Sequence, residues 1–224
     1  LMLPVASAEG VATSFHEALF TSTSAVCVTG LSLFDCGTTL SLFGQIVLIV
    51  LIQAGGLGFM TMTSFVYMLI GKRITLKERM VLQESLNQSE LQGVVKSAKT
   101  ILIMTLVIES IGAIVLSIRF IPDYGVGQGI WCGIFHSISA FCNAGFDVLA
   151  DTDVGGSLCR YATDPVVNFT IMALIIIGGL GFAVWGDIRH NRRFSRMSVY
   201  TRLVIIITTV LIFGGAGIFA ALEW

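Results

Sequence analysis

Two short segments of small residues, 24–31 and 139–146, could do chemistry through their backbone rather than their side chains. They read SAVCVTGL and SAFCNAGF, and they match at Ser, Ala, Cys and Gly with a constant offset of 115 residues. Gly30 and Gly145 can adopt backbone angles that a Cβ atom forbids. Extended backbone around 28–30 and 143–145 could therefore present carbonyl oxygens to an ion. Rings of such carbonyls replace the water shell of K⁺ without fixed charge, so the segments predict a potassium site.

The side chains offer little for other chemistry. The five cysteines form no CxxC pair and have no histidine at a ligand spacing, which argues against a zinc site or a disulfide framework. A bond between Cys36 and Cys159 stays an open alternative. His16, His136 and His190 have no carboxylate and nucleophile arranged around them for catalysis. We therefore expect no enzymatic activity.

Short helices must position both segments. Residues 13–25 and 129–141 have helical composition, but each is roughly a dozen residues long, whereas a spanning helix needs about 20. Such lengths favour re-entrant helices. The first begins with a capping-box pattern, Ser14-x-x-Glu17. The C-terminal end of a helix carries partial negative charge, so both helices would favour a cation at the segment that follows.

The rest of the chain indicates an all-α integral membrane protein. Hydrophobic residues make up 55% of it and charged residues only 12%, about half the charged fraction of a soluble domain. Four stretches are long and apolar enough to span a bilayer: 40–70, 100–118, 166–186 and 203–222. They contain a single charge, Glu109. An acid at membrane depth is a candidate functional group, but we favour a structural role, bonded to a neighbouring helix or supporting the ion site.

Charge asymmetry predicts the orientation. The loops at 71–99 and 189–202 hold 11 of the 13 lysines and arginines, and four spans put both loops on one face. By the positive-inside rule this face is cytoplasmic, so the short helices and their Gly segments face outward. Three outer acids could concentrate cations or simply be solvated: Asp147, Asp151 and Asp153. The net charge of −1 gives no basic excess for binding nucleic acid.

A second pair of motifs extends the internal repeat. GGLGF at 55–59 recurs at 178–182, so the order of short helix, Gly segment, spanning helix and basic loop occurs twice. No lysine follows either glycine cluster, which argues against a phosphate-binding loop. We expect these glycines to serve close helix packing.

Three motifs together resemble the Trk/Ktr/HKT potassium-transporter superfamily, and most closely its bacterial KtrB-type subunits. They lie at 23–31, 53–61 and 139–146. The resemblance implies four M1–P–M2 repeats with pseudo-fourfold symmetry around one pore, as in K⁺ channels. It also implies a selectivity filter formed by eight backbone carbonyls, those of Cys27, Val28, Thr29, Gly30, Cys142, Asn143, Ala144 and Gly145.

The same resemblance divides the chain into repeats. Residues 1–97 are the first repeat without most of M1, with P-helix 13–25, filter 26–31, M2 40–70 and cytoplasmic loop 71–97. Residues 98–195 are the second, with M1 98–120, P-helix 129–141, filter 142–146 and M2 166–188. Residues 196–224 are M1 of a third repeat, so the sequence itself is interpreted as truncated.

The implied function is K⁺ uptake across the plasma membrane as the translocating subunit, with Na⁺ or H⁺ as candidate coupling ions. The implied partners are a cytosolic RCK-type nucleotide-binding regulatory subunit and a second copy in a homodimer. Two alternatives remain. One is a non-conducting membrane scaffold or sensor of the same fold. The other is a secondary cation transporter, which predicts polar side chains at the midplane, where only Glu109 is found.

Overall fold

The computed structural model describes residues 1–58, 80–81, 94–149, 157–191 and 193–223. Helices dominate these ranges, and within them β-structure is limited to an isolated antiparallel bridge between Ser7 and Leu40. Most of the expected cytoplasmic loop 71–97, the second part of the expected span 40–70 and the acids Asp151 and Asp153 lie outside the described residues.

Within the described residues, the first unit contains the helices α1 (Phe15–Val26), α2 (Cys36–Thr39) and α3 (Leu42–Gly56). The predicted capping box at the start of α1 is confirmed, because Ser14 Oγ accepts from Glu17 N–H while the Glu17 carboxylate accepts from Ser14 N–H. Asp35 and Ser41 cap α2 and α3 in the same way through their side-chain oxygens. Each of these helices therefore begins at a polar residue that satisfies otherwise unpaired N–H groups.

The second unit contains α4 (Val94–Tyr124), α5 (Val126–Phe141), α6 (Pro165–Gly179) and α7 (Phe182–His190). Gly125, at φ +80°, reverses the chain between α4 and α5. Asp164 caps α6 by accepting from the N–H groups of Val166 and Val167, and it also pairs with Arg119 of α4. A last helix, α8 (Val199–Glu223), follows.

Helices α4 and α8 are each long and apolar enough to cross a membrane. The apolar parts are Ala98–Tyr124 in α4 and Val199–Leu222 in α8. The expected span 166–186 differs from a single helix: α6 and α7 meet at 91° and together make either a broken span or a re-entrant pair. The break lies at Gly181, whose φ of +84° cannot continue a right-handed helix. In the first unit α3 ends at Gly56, and Gly58 has φ +80°. Both GGLGF motifs therefore end a helix.

The buried core lies where α3, α4 and α6 surround α5. Its largest fully buried side chains include Leu48, Leu116, Phe120, Phe135 and Tyr161. By contrast, none of the apolar spanning window of α8 is buried. All five cysteines are free thiols, so Cys36 and Cys159 are not bonded to each other.

Candidate functional site

The first turn (residues 27–30) and the second turn (residues 142–145) share an unusual backbone. Val28 and Asn143 have φ +56° and +58°, and Gly30 and Gly145 have φ +76° and +72°. Residues other than glycine seldom adopt positive φ. In each turn these residues alternate with residues of ordinary handedness, since Cys27 and Cys142 are right-handed at φ −81° and −74°. Alternating handedness places successive N–H groups on one side and carbonyls on the other.

The N–H groups of both turns point back to the short helix before them. In each turn the second residue donates to the helix carbonyl three positions earlier, and the third to the carbonyl five positions earlier. The bonds are Val28 to Ala25 (3.2 Å), Thr29 to Ser24 (3.0 Å), Asn143 to Ala140 (3.0 Å) and Ala144 to Ser139 (2.8 Å). The end of each helix thereby fixes the direction of the turn.

The carbonyl oxygens of the two turns differ from the N–H groups, because they have no hydrogen-bond donor among the described residues. Within the part of the chain that the structure describes, no hydrogen bond is donated to the carbonyls of the eight candidate residues, Cys27, Val28, Thr29, Gly30, Cys142, Asn143, Ala144 and Gly145. Four of the eight residues are exposed, namely Cys27, Thr29, Asn143 and Gly145. A carbonyl without a protein donor can accept from water or coordinate a cation.

Two serines hydrogen-bond to the backbone of the residue that follows each turn. Ser24 Oγ accepts from the N–H of Leu31, and Ser139 Oγ donates to the carbonyl of Phe146. These distances are 2.9 and 2.7 Å. The sequence comparison matched the two serines between repeats but assigned them no role, although their recurrence at the same offset was the available signal.

The two turns adjoin each other at their glycines. A Cβ atom on Gly30 would lie closer than 3.0 Å to the carbonyl oxygen of Ala144 and 3.3 Å from the Cα and carbonyl carbon of Gly145. Two features therefore disfavour a side chain at Gly30. One is its positive φ, and the other is the carbonyl oxygen of Ala144 beside it. The first and second turns therefore lie side by side.

The first glycine of each cluster packs a long helix against a short one, which confirms the predicted packing role for Gly55 and Gly178, whereas a Cβ at Gly58 or Gly181 would meet nothing within 4 Å. A Cβ on Gly55 of α3 would come within 3.0 Å of the carbonyl oxygen of Val26, at the end of α1. Gly178 of α6 makes the same approach to the carbonyl oxygen of Phe141, at the end of α5. The two copies of the sequence repeat therefore pack their long helix against their short helix in the same way.

Glu109 is tied to the second turn through a glutamine. Its carboxylate accepts from Gln53 Nε2 at 3.0 and 3.2 Å, and the Cys142 thiol donates to Gln53 Oε1 at 3.7 Å. Ser137 of α5 donates to the Glu109 carbonyl at 2.7 Å, and Glu109 is only 4% exposed. These contacts support a structural role for the acid. Gln53 was quoted as part of a motif, but sequence reasoning gave it no function.

Titratable groups lie beside the two turns, and among them Asp147 was named from the sequence as an acid that could concentrate cations or simply be solvated. A cavity of about 280 Å³ lies over Gly30 and Gly145, and Asp35 and Asp147 line it. The Asp147 carboxylate contacts His136 of α5 at 3.4 Å. His136 was dismissed as a catalyst, and its 11-residue spacing from Asp147 gave no signal, because the chain reverses between them.

Comparison with known proteins identifies the family of this chain. A family model described as TrkH, cation transport protein, matches residues 3–218. The Ktr system potassium uptake protein B of Bacillus subtilis is 46% identical over 211 residues, which cover 94% of this chain and 46% of that protein. The potassium/sodium uptake protein NtpJ of Enterococcus hirae is 42% identical over 223 residues, covering all of this chain and 48% of that protein.

A third relative, the Ktr system potassium uptake protein B of Vibrio alginolyticus, is 40% identical over 225 residues, again covering this whole chain and 48% of that protein. The chain thus spans about half the length of these curated relatives. Because the family model covers nearly the whole sequence, the chain belongs to the TrkH family of cation transport proteins.

Proposed function

We propose that this chain takes part in potassium uptake across the plasma membrane, as a portion of the ion-translocating subunit of a Trk/Ktr-type system. Its role is transport and not catalysis. Family membership supports this, and so do the names of the relatives, which describe potassium uptake. The relative named for both potassium and sodium supports Na⁺ as a second transported or coupling ion.

One observation carries the proposal. Two adjoining turns with the same alternating backbone leave eight carbonyls without protein donors among the described residues. Carbonyl oxygens without fixed charge suit a monovalent cation that must bind and leave quickly. Helices α1 and α5 both end at these turns, and their C-terminal dipoles add negative potential there.

The finer architecture is also part of the proposal. Two walls make about half of a carbonyl ring, so a pseudo-fourfold pore requires two more M1–P–M2 units. The relatives are about twice as long as this chain, which is the length that two further units need. In this scheme α8 is the first helix of the third unit, the two turns face outward and the basic loops face the cytoplasm.

The partners follow from the same scheme. The relatives named as parts of a Ktr system support a regulatory partner. We propose a cytosolic RCK-type nucleotide-binding subunit on the face of the basic loops, and a homodimer of the translocating subunit.

Substitution of Gly30 and Gly145 by serine tests the filter. Each variant is introduced into the protein at the full length of its relatives and expressed in a bacterial strain without its own K⁺ uptake. We expect growth at limiting K⁺ to fail or K⁺ over Na⁺ discrimination to fall. The effect should be larger for Gly30→Ser, because Gly145 has only the Gly30 Cα at 3.8 Å nearby.

Gly125→Ser is the matched control. Gly125 also has positive φ, +80°, but a Cβ there meets nothing within 4 Å. Gly125→Ser therefore introduces similar backbone strain, but far from the two turns. Unchanged discrimination in both filter variants would refute the filter assignment. Normal membrane insertion without K⁺ flux in the unmodified protein would instead favour the non-conducting scaffold.

A further inference from the structure

A cavity of about 220 Å³, the α4–α7 cavity, lies between α4, α7 and the end of α5. It adjoins α7 beyond the point where this helix leaves α6 at 91°. Most of its wall is apolar and includes Met104 and Phe182. The indole ring of Trp185 also lines it, while the indole N–H donates to the Ile177 carbonyl and is thereby satisfied. This wall suits an apolar chain.

The hydroxyl of Thr105 is a polar group on this apolar wall. Thr105 is only 1% exposed, and its Oγ1 has no hydrogen-bond partner within the described residues. Other hydroxyls on the apolar helices donate to the carbonyl four residues earlier, as those of Ser110, Thr170 and Thr209 do. A hydroxyl buried without a partner costs free energy. Thr105 is therefore able to donate to an oxygen atom of a molecule in the cavity.

Positive charge lies at the mouth of the cavity. Arg189, near the end of α7, lines the cavity and is exposed. Its Nη1 lies 3.9 Å from the Met104 sulfur, a weak acceptor, and in the ranges that the structure describes it forms no ion pair. Asp187, two residues earlier, accepts instead from Asn191 Nδ2 at 2.8 Å. Lys99 is also exposed, at the start of the apolar part of α4. The mouth therefore has basic groups to offer an anion.

The apolar wall, the buried hydroxyl and the basic mouth fit three parts of a phospholipid, which are its acyl chain, its ester carbonyl and its phosphate. An apolar cavity of about 150 Å³ can bind benzene, so a cavity of this size accommodates a chain segment of about eight carbons. A phospholipid carries its ester carbonyls a few atoms from its phosphate. Arg189 contacts Met104, the neighbour of Thr105 along α4, so the two polar groups are suitably close.

Other anionic molecules fit this arrangement less well. A free fatty acid has a chain for the apolar wall, but it has no ester carbonyl to accept from Thr105 when its carboxylate lies at Arg189. A nucleotide has phosphates for Arg189 but no chain for the apolar wall. Basic pockets between membrane helices on the cytoplasmic side bind lipid headgroups. The chemistry of the cavity therefore favours an anionic phospholipid.

We propose that the α4–α7 cavity binds an anionic phospholipid of the cytoplasmic leaflet. One acyl chain lies in the cavity, the phosphate contacts Arg189 and an ester carbonyl accepts from Thr105. Only the choice of leaflet rests on the proposed function, through the orientation of the basic loops. Phe141 also lines the cavity and directly precedes the second turn, so a bound chain supports the helix end from which that turn starts.

The test offers two lipids to the purified protein at the full length of its relatives. Phosphatidylglycerol and phosphatidylcholine with identical acyl chains are added in equal amounts in detergent, and native mass spectrometry identifies the most tightly held lipid. We expect phosphatidylglycerol to be held over phosphatidylcholine by about fivefold or more, the preference that one basic residue gives for an anionic lipid. Arg189→Gln should reduce that ratio to about one. Arg193→Gln is the matched control, because Arg193 is exposed but does not line the cavity, and it should keep the preference.

Thr105→Val tests the hydroxyl with a side chain of nearly the same shape. It should weaken the binding of phosphatidylglycerol about threefold to tenfold, which corresponds to the loss of one hydrogen bond. The lipid-free protein should stay folded, because the substitution removes a buried polar group that has no partner within the described residues. Thr170→Val is the control, since the Thr170 hydroxyl bonds within α6 to the Val166 carbonyl, and it should leave lipid binding unchanged.

An equal hold on the two lipids by the unmodified protein overturns the inference, and this result needs no variant. So do equal losses in Arg189→Gln and Arg193→Gln, because diffuse charge then explains the preference. Displacement of the lipid by equimolar oleate, with no effect of Thr105→Val, identifies a fatty acid as the occupant instead. The absence of any tightly held lipid means that protein fills the cavity in the longer chain.

These measurements use no ion flux, so the lipid site and the proposed filter fail separately. If Gly30→Ser and Gly145→Ser keep K⁺ over Na⁺ discrimination while phosphatidylglycerol stays bound, only the filter fails. If both variants lose discrimination and the unmodified protein holds the two lipids equally, only the lipid site fails.

Discussion

Several polar side chains around the two turns hydrogen-bond to one another or to the backbone. Ser24 and Ser139 bond to the backbone that leaves each turn, while Gln53 links Glu109 to Cys142. Each group is costly to bury alone and acceptable to bury in a pair. The hydrogen bonds of these polar residues therefore hold the helices and the turns in fixed relative positions.

Glu109 tests this view at the residue scale. Glu109→Gln keeps a side-chain oxygen that accepts from Gln53 Nε2, so we expect K⁺ uptake to be retained. Glu109→Leu leaves the Gln53 amide without its acceptor, which costs about 1–3 kcal/mol of stability and disturbs Cys142. Thermal melting of the purified protein and growth at limiting K⁺ measure both effects.

Ser110→Ala is the neighbouring control, because Ser110 is exposed and its hydroxyl bonds within α4 to Leu106 O. It should behave as the unmodified protein. Complete loss of transport in Glu109→Gln, with normal membrane insertion, would show that the charge itself acts in transport and would contradict the structural role.

The repeated glycines pointed to positions 27–30 and 142–145, whose role as an ion site stays a prediction. The side chains that contact these two turns could not be identified from the sequence in the same way. Gln53 and His136 are two examples, since their partners lie 56 and 11 residues away and meet them only after the chain has folded. A polar residue on an apolar helix shows that a partner exists but does not identify it.

At the scale of elements, the GGLGF motif joins two tasks. Its first glycine lets a long helix approach the end of a short one, and its third takes positive φ and ends or bends the helix. In the second unit, Trp185 of α7 donates to the Ile177 carbonyl of α6 at 3.0 Å, satisfying a group near the bend. The packing role was predictable from the glycines. The 91° bend was not, because glycine is common in straight membrane helices too.

Gly178→Ala tests the packing. The added Cβ meets the backbone oxygen of Phe141, which cannot rotate away, so α6 must move off the end of α5. We expect a loss of about 1–3 kcal/mol in stability and weaker K⁺ uptake, because the second turn starts at that helix end. Melting temperature and uptake rate in the full-length protein are the measurements.

Gly186→Ala is the matched control, since a Cβ at Gly186 in α7 meets nothing within 4 Å. Alanine there should be neutral or stabilise the helix by up to about 1 kcal/mol. Equal effects of the two substitutions would mean that the approach of α6 to Phe141 does not hold the second turn in place.

In the whole molecule, the two turns adjoin each other, and in the proposed function they are two walls of the ion path. Both belong to units with the same order of short helix, turn and long helix, and their glycines touch. The described surface of α8 is unburied over its whole spanning window. That surface is apolar, so either lipid or further helices can cover it. A ring of carbonyls around one ion needs more walls than two.

Residues 1–224 alone should therefore not conduct K⁺ selectively. We expect proteoliposomes with this segment to show no K⁺ flux above protein-free vesicles, although circular dichroism reports a helical, inserted protein. Flux should appear when the segment is continued to the length of its relatives, about twice its own. Gly30→Ser in the longer protein should then reduce that flux, as expected if the first turn lines the path. K⁺-selective flux through residues 1–224 alone would mean that copies of this chain complete the ring by assembling together, and chemical cross-linking of the vesicles would reveal that assembly.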